Sequence, residues 1–436
     1  MQKLHGKDLL FVGFTLFSMF FGAGNLIFPP FLGAQAGTNA WFAFLGFALS
    51  AIGLPVLGVI AIARAGGLST LAGRVHPRFA AVFTLLCYLS IGPCLAIPRT
   101  ASTSFEMFAP LIGGGAAKQL LYSVVFFAVA FLVALRPEKL TDRLGKLLCP
   151  TLIVLILVLF GACLLHPVAA HYGAPAADYA SLPAAQGFLA GYQTMDTIAA
   201  LNFSAVIALN IRARGVGEEK QVVRGTVRAG WIAGAVLLAI YAMLTHAGAL
   251  SGAAFPGGET GADTLTRLAY GLYGTPGQML LAAIFLIACL NTCIGLISCV
   301  SEYFHGLFPR VPYVAFAAFF ALASAVVSNI GLAGIIRLST PVLNAIYPAA
   351  IVLIALSFVP RLEAHRLVYP VTVGLVCVQS VVAALAKSGL SIPLVTAAAA
   401  KLPLSALGFG WVAPAAFGLV LGLFLSRRTE KLEKTQ

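Results

Sequence analysis

The chain alternates long apolar stretches with short polar ones, and twelve of the apolar stretches approach or exceed the length that carries a helix across a bilayer. They fall at about 8–32, 40–63, 79–109, 118–136, 145–165, 187–210, 228–250, 277–304, 312–329, 333–358, 367–387 and 408–426. The third and eighth are longer than a bilayer requires, which predicts tilted or protruding helices. Two stretches break the rule that a span is an unbroken apolar helix. The first contains Phe20-Phe21-Gly22-Ala23-Gly24-Asn25-Leu26-Ile27-Phe28-Pro29-Pro30, and the second Gly191-Tyr192-Gln193-Thr194-Met195-Asp196-Thr197. In hydrocarbon an opened backbone strands N–H and C=O groups at several kcal/mol each, so a break survives only where it is buried in protein or lines a cavity. One such break in each half of the chain predicts a binding site near the bilayer midplane of a secondary transporter.

The breaks occupy the first and sixth positions. A five-plus-five repeat makes them equivalent, each the first helix of its half. Because five is odd, the second half starts on the opposite side and the repeat is inverted. The expected fold is an all-α integral membrane protein of twelve transmembrane helices. Repeat 1 covers about 8–165 and repeat 2 about 187–358, with two further helices at about 367–426, all within one transporter domain. The outer loops 166–186 and 251–276 are the longest; the second is read either as a short capping element or as a solvated loop.

Composition agrees with this class: 60% hydrophobic residues, 9% charged, and a mean hydropathy of +0.97, against roughly 25% charged residues in a soluble domain. The net charge of +13 raises the question of nucleic acid. Its placement argues against that, because the basic residues cluster between apolar runs without interleaved aromatics. With the N-terminus in the cytoplasm, 21 Lys and Arg fall in inside segments and five outside, and Arg99 lies within the third span. This predicts a multi-pass protein with an even number of spans and both termini cytoplasmic. The first 24 residues share the layout of a signal peptide, yet Pro29-Pro30 and the apolar run through Leu32 extend past a usual apolar core. The eight cysteines fall in apolar runs without paired loop spacing and read as small core residues.

Gly22, Ala23 and Gly24 allow the backbone to open and a ligand to approach closely. The half-helix beyond them presents free N–H groups and a positive dipole end, suited to a carboxylate. Asn25 offers an amide oxygen to a cation or an NH₂ to a carboxylate. Asp196 is the one acid well inside a broken span, at an insertion cost of about 2.5–3.5 kcal/mol. It is open to four roles: ion ligand, partner of a substrate ammonium, proton carrier, or cap of the second half-helix. Thr194 and Thr197 flank it with hydroxyls. In the eighth span Asn291 and Thr292 place two oxygen-bearing side chains side by side, which together with carbonyls of the opened first span can coordinate a small hard cation. Arg99 and Glu106, seven residues apart, share a helix face. They form a candidate buried pair, with Asp196 as the other partner for Arg99, in a structural or gating role.

At these residues the chain resembles a known family. Phe17-Ser18-Met19-Phe20-Phe21-Gly22-Ala23-Gly24-Asn25-Leu26-Ile27-Phe28-Pro29-Pro30 resembles the first span of the bacterial branched-chain amino acid:cation symporters. Gly92-Pro93 with Pro98-Arg99-Thr100-Ala101 and Ser104-Phe105-Glu106 is similar to their third span. Gly191 through Thr197 resembles the sixth, and Ser301-Glu302-Tyr303-Phe304 the end of the eighth. The resemblance implies the leucine-transporter fold and Na⁺ as coupling ion. It implies a sodium site from the Ser18, Phe21 and Ala288 carbonyls with the Asn291 and Thr292 side chains; members commonly carry a Thr pair where this chain has Asn291-Thr292. The substrate backbone is then expected against Gly22, Ala23, Gly24 and Asn25 and against the opened stretch Tyr192, Thr194, Met195, Asp196 and Thr197.

The expected activity is import of leucine, isoleucine and valine with Na⁺ by alternating access. The alternative within transport is proton coupling through Asp196. An intramembrane enzyme would need paired catalytic groups on facing spans, and Asp196 stands alone in the core. A metal-ion transporter of this fold would need an acid or soft ligand in the first break, and Gly22-Ala23-Gly24-Asn25 supplies neither.

Overall fold

The computed structural model describes residues 6–136, 141–258, 260–390 and 393–433, and every element in it is helical. Lys3, Lys139 and Lys434, which belong to the basic inside segments, and Glu259 of the loop 251–276 lie outside the described residues.

The two breaks are present where the polar and glycine positions put them. Helices α1 (Gly6–Phe20) and α2 (Ala23–Ala36) are parted at Phe21 and Gly22. The next stretch is α3 (Ala40–Ala48), a π-helical turn at Leu49–Gly53 and α4 (Leu54–Ala65), followed by the short connector α5 (Leu68–Gly73). Helices α6 (Pro77–Leu89) and α7 (Ala96–Ile112) meet across a π-helical kink, Ser90–Cys94, where Gly92 leaves helical backbone angles ahead of Pro93. Helices α8 (Ala116–Ala134) and α9 (Cys149–Leu165) complete the first half. After the short α10 (Ala177–Ser181), α11 (Pro183–Tyr192) and α12 (Asp196–Arg212) form the second broken pair, bent by 45°. The remainder comprises α13 (Glu219–Ala254), α14 (Gly261–Tyr273), α15 (Thr275–Leu307), α16 (Tyr313–Ser328) and α17 (Leu332–Ser357). Helices α18 (Val368–Lys387), α19 (Pro393–Ala400) and α20 (Val412–Glu433) end the chain.

All twelve apolar stretches fall on helices. By length and composition, eight described helices can cross a membrane, or nine when α11 and α12 count as one span. The loop 251–276 holds a helix rather than open solvated chain. Thr260 caps α14 by accepting from the Asp263 N–H at 3.1 Å, and α14 packs on α2, α13 and α15.

Small residues decide how closely the helices approach. A Cβ added to Gly33 would lie 2.0 Å from the Thr245 carbonyl oxygen, and one on Gly248 would lie 2.0 Å from that of Pro30. Helices α2 and α13 therefore touch through backbone. The same holds for α3 and α11, where Cβ atoms on Gly46 and Gly187 would sit 1.8 Å from the Ala184 oxygen and 1.9 Å from the Ala43 oxygen. Without a hydrophobic drive between helices in lipid, such close backbone contact is a main source of cohesion. The contacts have a reciprocal form. Helix α13 runs against both halves of the first break, α1 and α2, while α3 and α4 run against both halves of the second, α11 and α12. Both breaks are thus flanked on each side of the opening, the first by the single helix α13 and the second by α3 and α4 with the π-helical turn between them. The outer surface is apolar, with Leu121, Phe319, Leu322, Val326 and Val420 exposed, as a lipid-facing surface requires.

Candidate functional site

The first break opens because Gly22 is in an extended conformation (φ −129°, ψ −150°) between α1 and α2. Its own N–H donates to Asn25 Oδ1 at 3.2 Å, which anchors the Asn25 amide beside the start of α2. The second break is a tight turn. Met195 takes a left-handed conformation (φ 66°) that costs a side-chain-bearing residue about 1–2 kcal/mol. Thr194 steadies the turn: its Oγ1 donates to the Gly191 carbonyl at 2.9 Å and accepts from the Asp196 N–H at 3.4 Å.

The two breaks meet. Asn25 Nδ2 donates to Asp196 Oδ2 at 2.5 Å and also contacts the Tyr241 hydroxyl, which donates to the same carboxyl oxygen at 3.1 Å. Asn25, Asp196 and Tyr241 are all buried. Asn25 thus does present its NH₂ to a carboxyl group, and that group belongs to the protein. Asp196 opens α12 without capping it through its side chain. Tyr241 had no signal in the sequence: it is one tyrosine in the apolar run of α13, and only packing brings it here. Its ring lies against Phe21 and Phe47, with centroids at 6.2 and 5.6 Å.

Arg99 closes the site from α7. Nη1 donates to the Gln193 carbonyl at 2.7 Å and Nη2 to the Thr194 carbonyl at 3.4 Å, so the guanidinium covers the open end of α11. It therefore meets main-chain carbonyls, rather than the Glu106 or Asp196 carboxylate considered from the sequence. The α7 register does put Arg99 and Glu106 on one face, but Arg99 is fully buried against Gly24 and Phe28 while Glu106 is only half-buried.

Ala23, Gly24, Asn25, Thr194, Met195 and Asp196 line a hollow that Arg99, Thr100 and Thr292 also border. It leaves about 20 Å³ to the centre of a water-sized sphere, roughly one water molecule. Three of the expected ligand-facing residues, Gly22, Tyr192 and Thr197, do not line it. Tyr192 stacks on Tyr347 at 4.3 Å and faces an outer cavity of about 460 Å³. Thr197 points to α3 and α4, its Oγ1 donating to the Ser50 carbonyl at 3.4 Å. The outer cavity is the larger of the two. It lies between α11, α17, α18 and the chain around Trp411, away from the first break. Tyr179 on its rim has its hydroxyl pushed up to about 12 by burial.

Next to the first break, α1 packs on α15. A Cβ on Gly22 would lie 2.5 Å from Thr292 Oγ1, and one on Gly295 would lie 2.8 Å from Met19 Cγ. Here stand buried polar atoms without a protein partner: Ser18 Oγ, both polar atoms of Asn291, and Thr292 Oγ1. Phe21, in the break just past the end of α1, and Ala288 on α15 are fully buried. Buried oxygens left unsatisfied are costly, and an oxygen-rich group of this kind suits a small hard cation.

The family model described as "Branched-chain amino acid transport protein" matches residues 5–429. The branched-chain amino acid transport system 2 carrier protein of Pseudomonas aeruginosa is 42% identical over 433 residues, 98% of each chain. The branched-chain amino acid permease BraB of Bacillus subtilis is 40% identical over 432 residues, 98% of this chain and 97% of that one. Among solved structures, the nucleobase-cation-symport-1 family transporter Mhp1 in a closed conformation superposes with a TM-score of 0.61 at 14% identity, over 96% of this chain and 93% of its own. MhsT in complex with L-phenylalanine gives 0.57 at 16% identity, over 98% and 99%. These structures share the leucine-transporter fold with the present chain.

Proposed function

Because the chain belongs to the branched-chain amino acid transport protein family, we propose that it is a Na⁺-driven symporter importing leucine, isoleucine and valine across a bacterial cytoplasmic membrane. It is a transport protein and not an enzyme. The observation that carries the mechanism is the meeting of the two breaks through Asn25, Asp196 and Tyr241 around one small hollow. In this reading twelve helices cross the membrane, with both termini inside, and two inverted five-helix repeats each contribute one break. The reciprocal flanking of the breaks by α13 and by α3–α4 supports that repeat.

The free N–H groups at the start of α2, at Ala23, Gly24 and Asn25, receive the substrate carboxylate, favoured by the positive end of the helix dipole. The Asp196 carboxyl and the turn at Thr194 and Met195 face the ammonium. Phe20 and Phe203 give the hollow apolar walls, which disfavour polar side chains. An aliphatic amino acid is many times larger than one water, so the walls must part to admit it. That separation of α1–α2 from α7 and α12 is the alternating-access step. Na⁺ sits between α1 and α15, held by the Ser18, Phe21 and Ala288 carbonyls with Asn291 and Thr292. Coupling requires that ion and substrate together favour the outward-closed state, and the membrane potential adds about 2.3 kcal/mol per charge per 100 mV.

A second reading, proton coupling, is favoured by the burial of the Asp196 carboxyl between the breaks. Radiolabelled leucine uptake into proteoliposomes separates the two. Uptake that follows an inward Na⁺ gradient supports the first; uptake without Na⁺ under an imposed pH gradient supports the second. No gradient-driven uptake of any branched-chain amino acid removes both.

A further inference from the structure

A helix interrupted in mid-membrane ends on open carbonyls that form the negative end of its dipole. In transporters with discontinuous helices, such ends coordinate the coupling cation. In this chain the open end of α11 already holds a cation. Arg99 reaches across from α7 and donates Nη1 to the Gln193 carbonyl at 2.7 Å and Nη2 to the Thr194 carbonyl at 3.4 Å. Its guanidinium fills the space up to the first break. A Cβ added to Gly24 would fall 2.7 Å from Nη2, and the Phe28 ring centroid is 5.7 Å from Cζ. An arginine carries its charge at every physiological pH. Among the described residues, Arg99 and Asp196 are the only buried members of the Arg, Lys, Asp and Glu set, and both border the same hollow. Among the buried polar atoms that lack a partner, Ser18 Oγ, Asn291 Oδ1 and Thr292 Oγ1 lie on the α1–α15 face. At the α11 end the side-chain atoms Gln193 Oε1 and Arg99 Nε also lack one, while the Gln193 and Thr194 carbonyls are taken by the guanidinium.

We propose that Arg99 is a tethered cation standing where a second coupling ion would bind, so that each amino acid enters with a single Na⁺. This rests on the Na⁺ coupling proposed above and adds its stoichiometry. A mobile ion at the α11 end would be carried inward and would add its charge to each cycle; a guanidinium fixed to α7 neutralises the same carbonyls and stays behind. The α11 carbonyls then serve to orient the turn at Thr194 and Met195, and no longer form a transported-ion site.

The test reads charge per substrate. Proteoliposomes holding the wild-type protein are clamped at a series of potassium diffusion potentials, at fixed Na⁺ on both sides, and the steady-state leucine accumulation is measured. One charge per leucine gives tenfold greater accumulation for each 59 mV or so; a hundredfold rise over the same step means two ions and overturns the proposal. Arg99→Ala provides the second measurement. The vacated carbonyls should make uptake depend on Na⁺ to the second order, or make it recoverable by added guanidinium ion. An Arg99→Ala protein that transports like wild type with one charge per leucine overturns the place-holding role, as does a folded variant restored by neither cation. If that variant does not fold, the wild-type slope still decides between one ion and two. Leucine uptake indifferent to Na⁺ removes the coupling reading itself, a result distinct from a Na⁺-coupled slope of two charges.

Discussion

Replacing Tyr241 with Phe removes one oxygen and leaves the ring in its place against Phe21 and Phe47. That oxygen joins three helices, since it donates to Asp196 Oδ2 at 3.1 Å and contacts Asn25 Nδ2. A hydrogen bond of this kind contributes about 1–3 kcal/mol, more when the acceptor is charged. Asn25 remains on Asp196 at 2.5 Å, so the carboxyl group keeps one donor and the loss stays within that range. If the triad holds the breaks together in the closed arrangement, Tyr241→Phe weakens this state relative to the open ones. At about 1.4 kcal/mol per tenfold, half-saturation for leucine should rise, or the maximal uptake rate change, by about 5- to 150-fold. The assay is initial-rate uptake of labelled leucine into proteoliposomes at saturating Na⁺, with reconstituted protein quantified. Kinetics within twofold of wild type would refute the idea that the Asn25–Asp196–Tyr241 contact governs the transport cycle.

Other perturbations address separate parts of the structure. Asn291→Ala removes a proposed Na⁺ ligand and should raise the Na⁺ concentration for half-maximal uptake by about tenfold or more, equivalent to about 1.4 kcal/mol; an unchanged Na⁺ dependence takes Asn291 out of the ion site. Asp196→Asn keeps the volume and an acceptor oxygen for Asn25 and Tyr241 while removing the charge. We expect uptake to fall by about tenfold or more, and undiminished ion-coupled uptake would exclude an essential ionised Asp196. Gly33→Ala forces a methyl group to within 2.0 Å of the Thr245 carbonyl oxygen, where the neighbour is backbone and cannot rotate away. Overpacking of this kind costs about 1–3 kcal/mol, which should appear as earlier thermal unfolding in detergent.

The sequence was most informative where the physics is local. A glycine pair with an asparagine inside one apolar run, and Thr194-Met195-Asp196 inside another, cannot form uninterrupted membrane helices at low cost, and both interruptions are found within a residue or two of those positions; Pro29 and Pro30 mark no break, since α2 runs through them. The loop 251–276 was less legible: its caps are sequence features, but the packing of α14 on α2 is not. Arg99 shows the limit of periodicity. Seven-residue spacing correctly put Arg99 and Glu106 on one face of α7. It could not show that this face turns toward the carbonyls of a helix end almost a hundred residues later.

What the chain alone determined was its partition into apolar segments and the places where those segments must open, because backbone hydrogen bonding and transfer into lipid depend on each segment by itself. Which polar groups answer one another was decided by the tertiary structure. Asn25 reaches Asp196 across 171 positions and Tyr241 across 216. Such meetings are set by how closely glycine-faced helices slide together, and a lone tyrosine or arginine in a span carries no mark of the neighbour it will find.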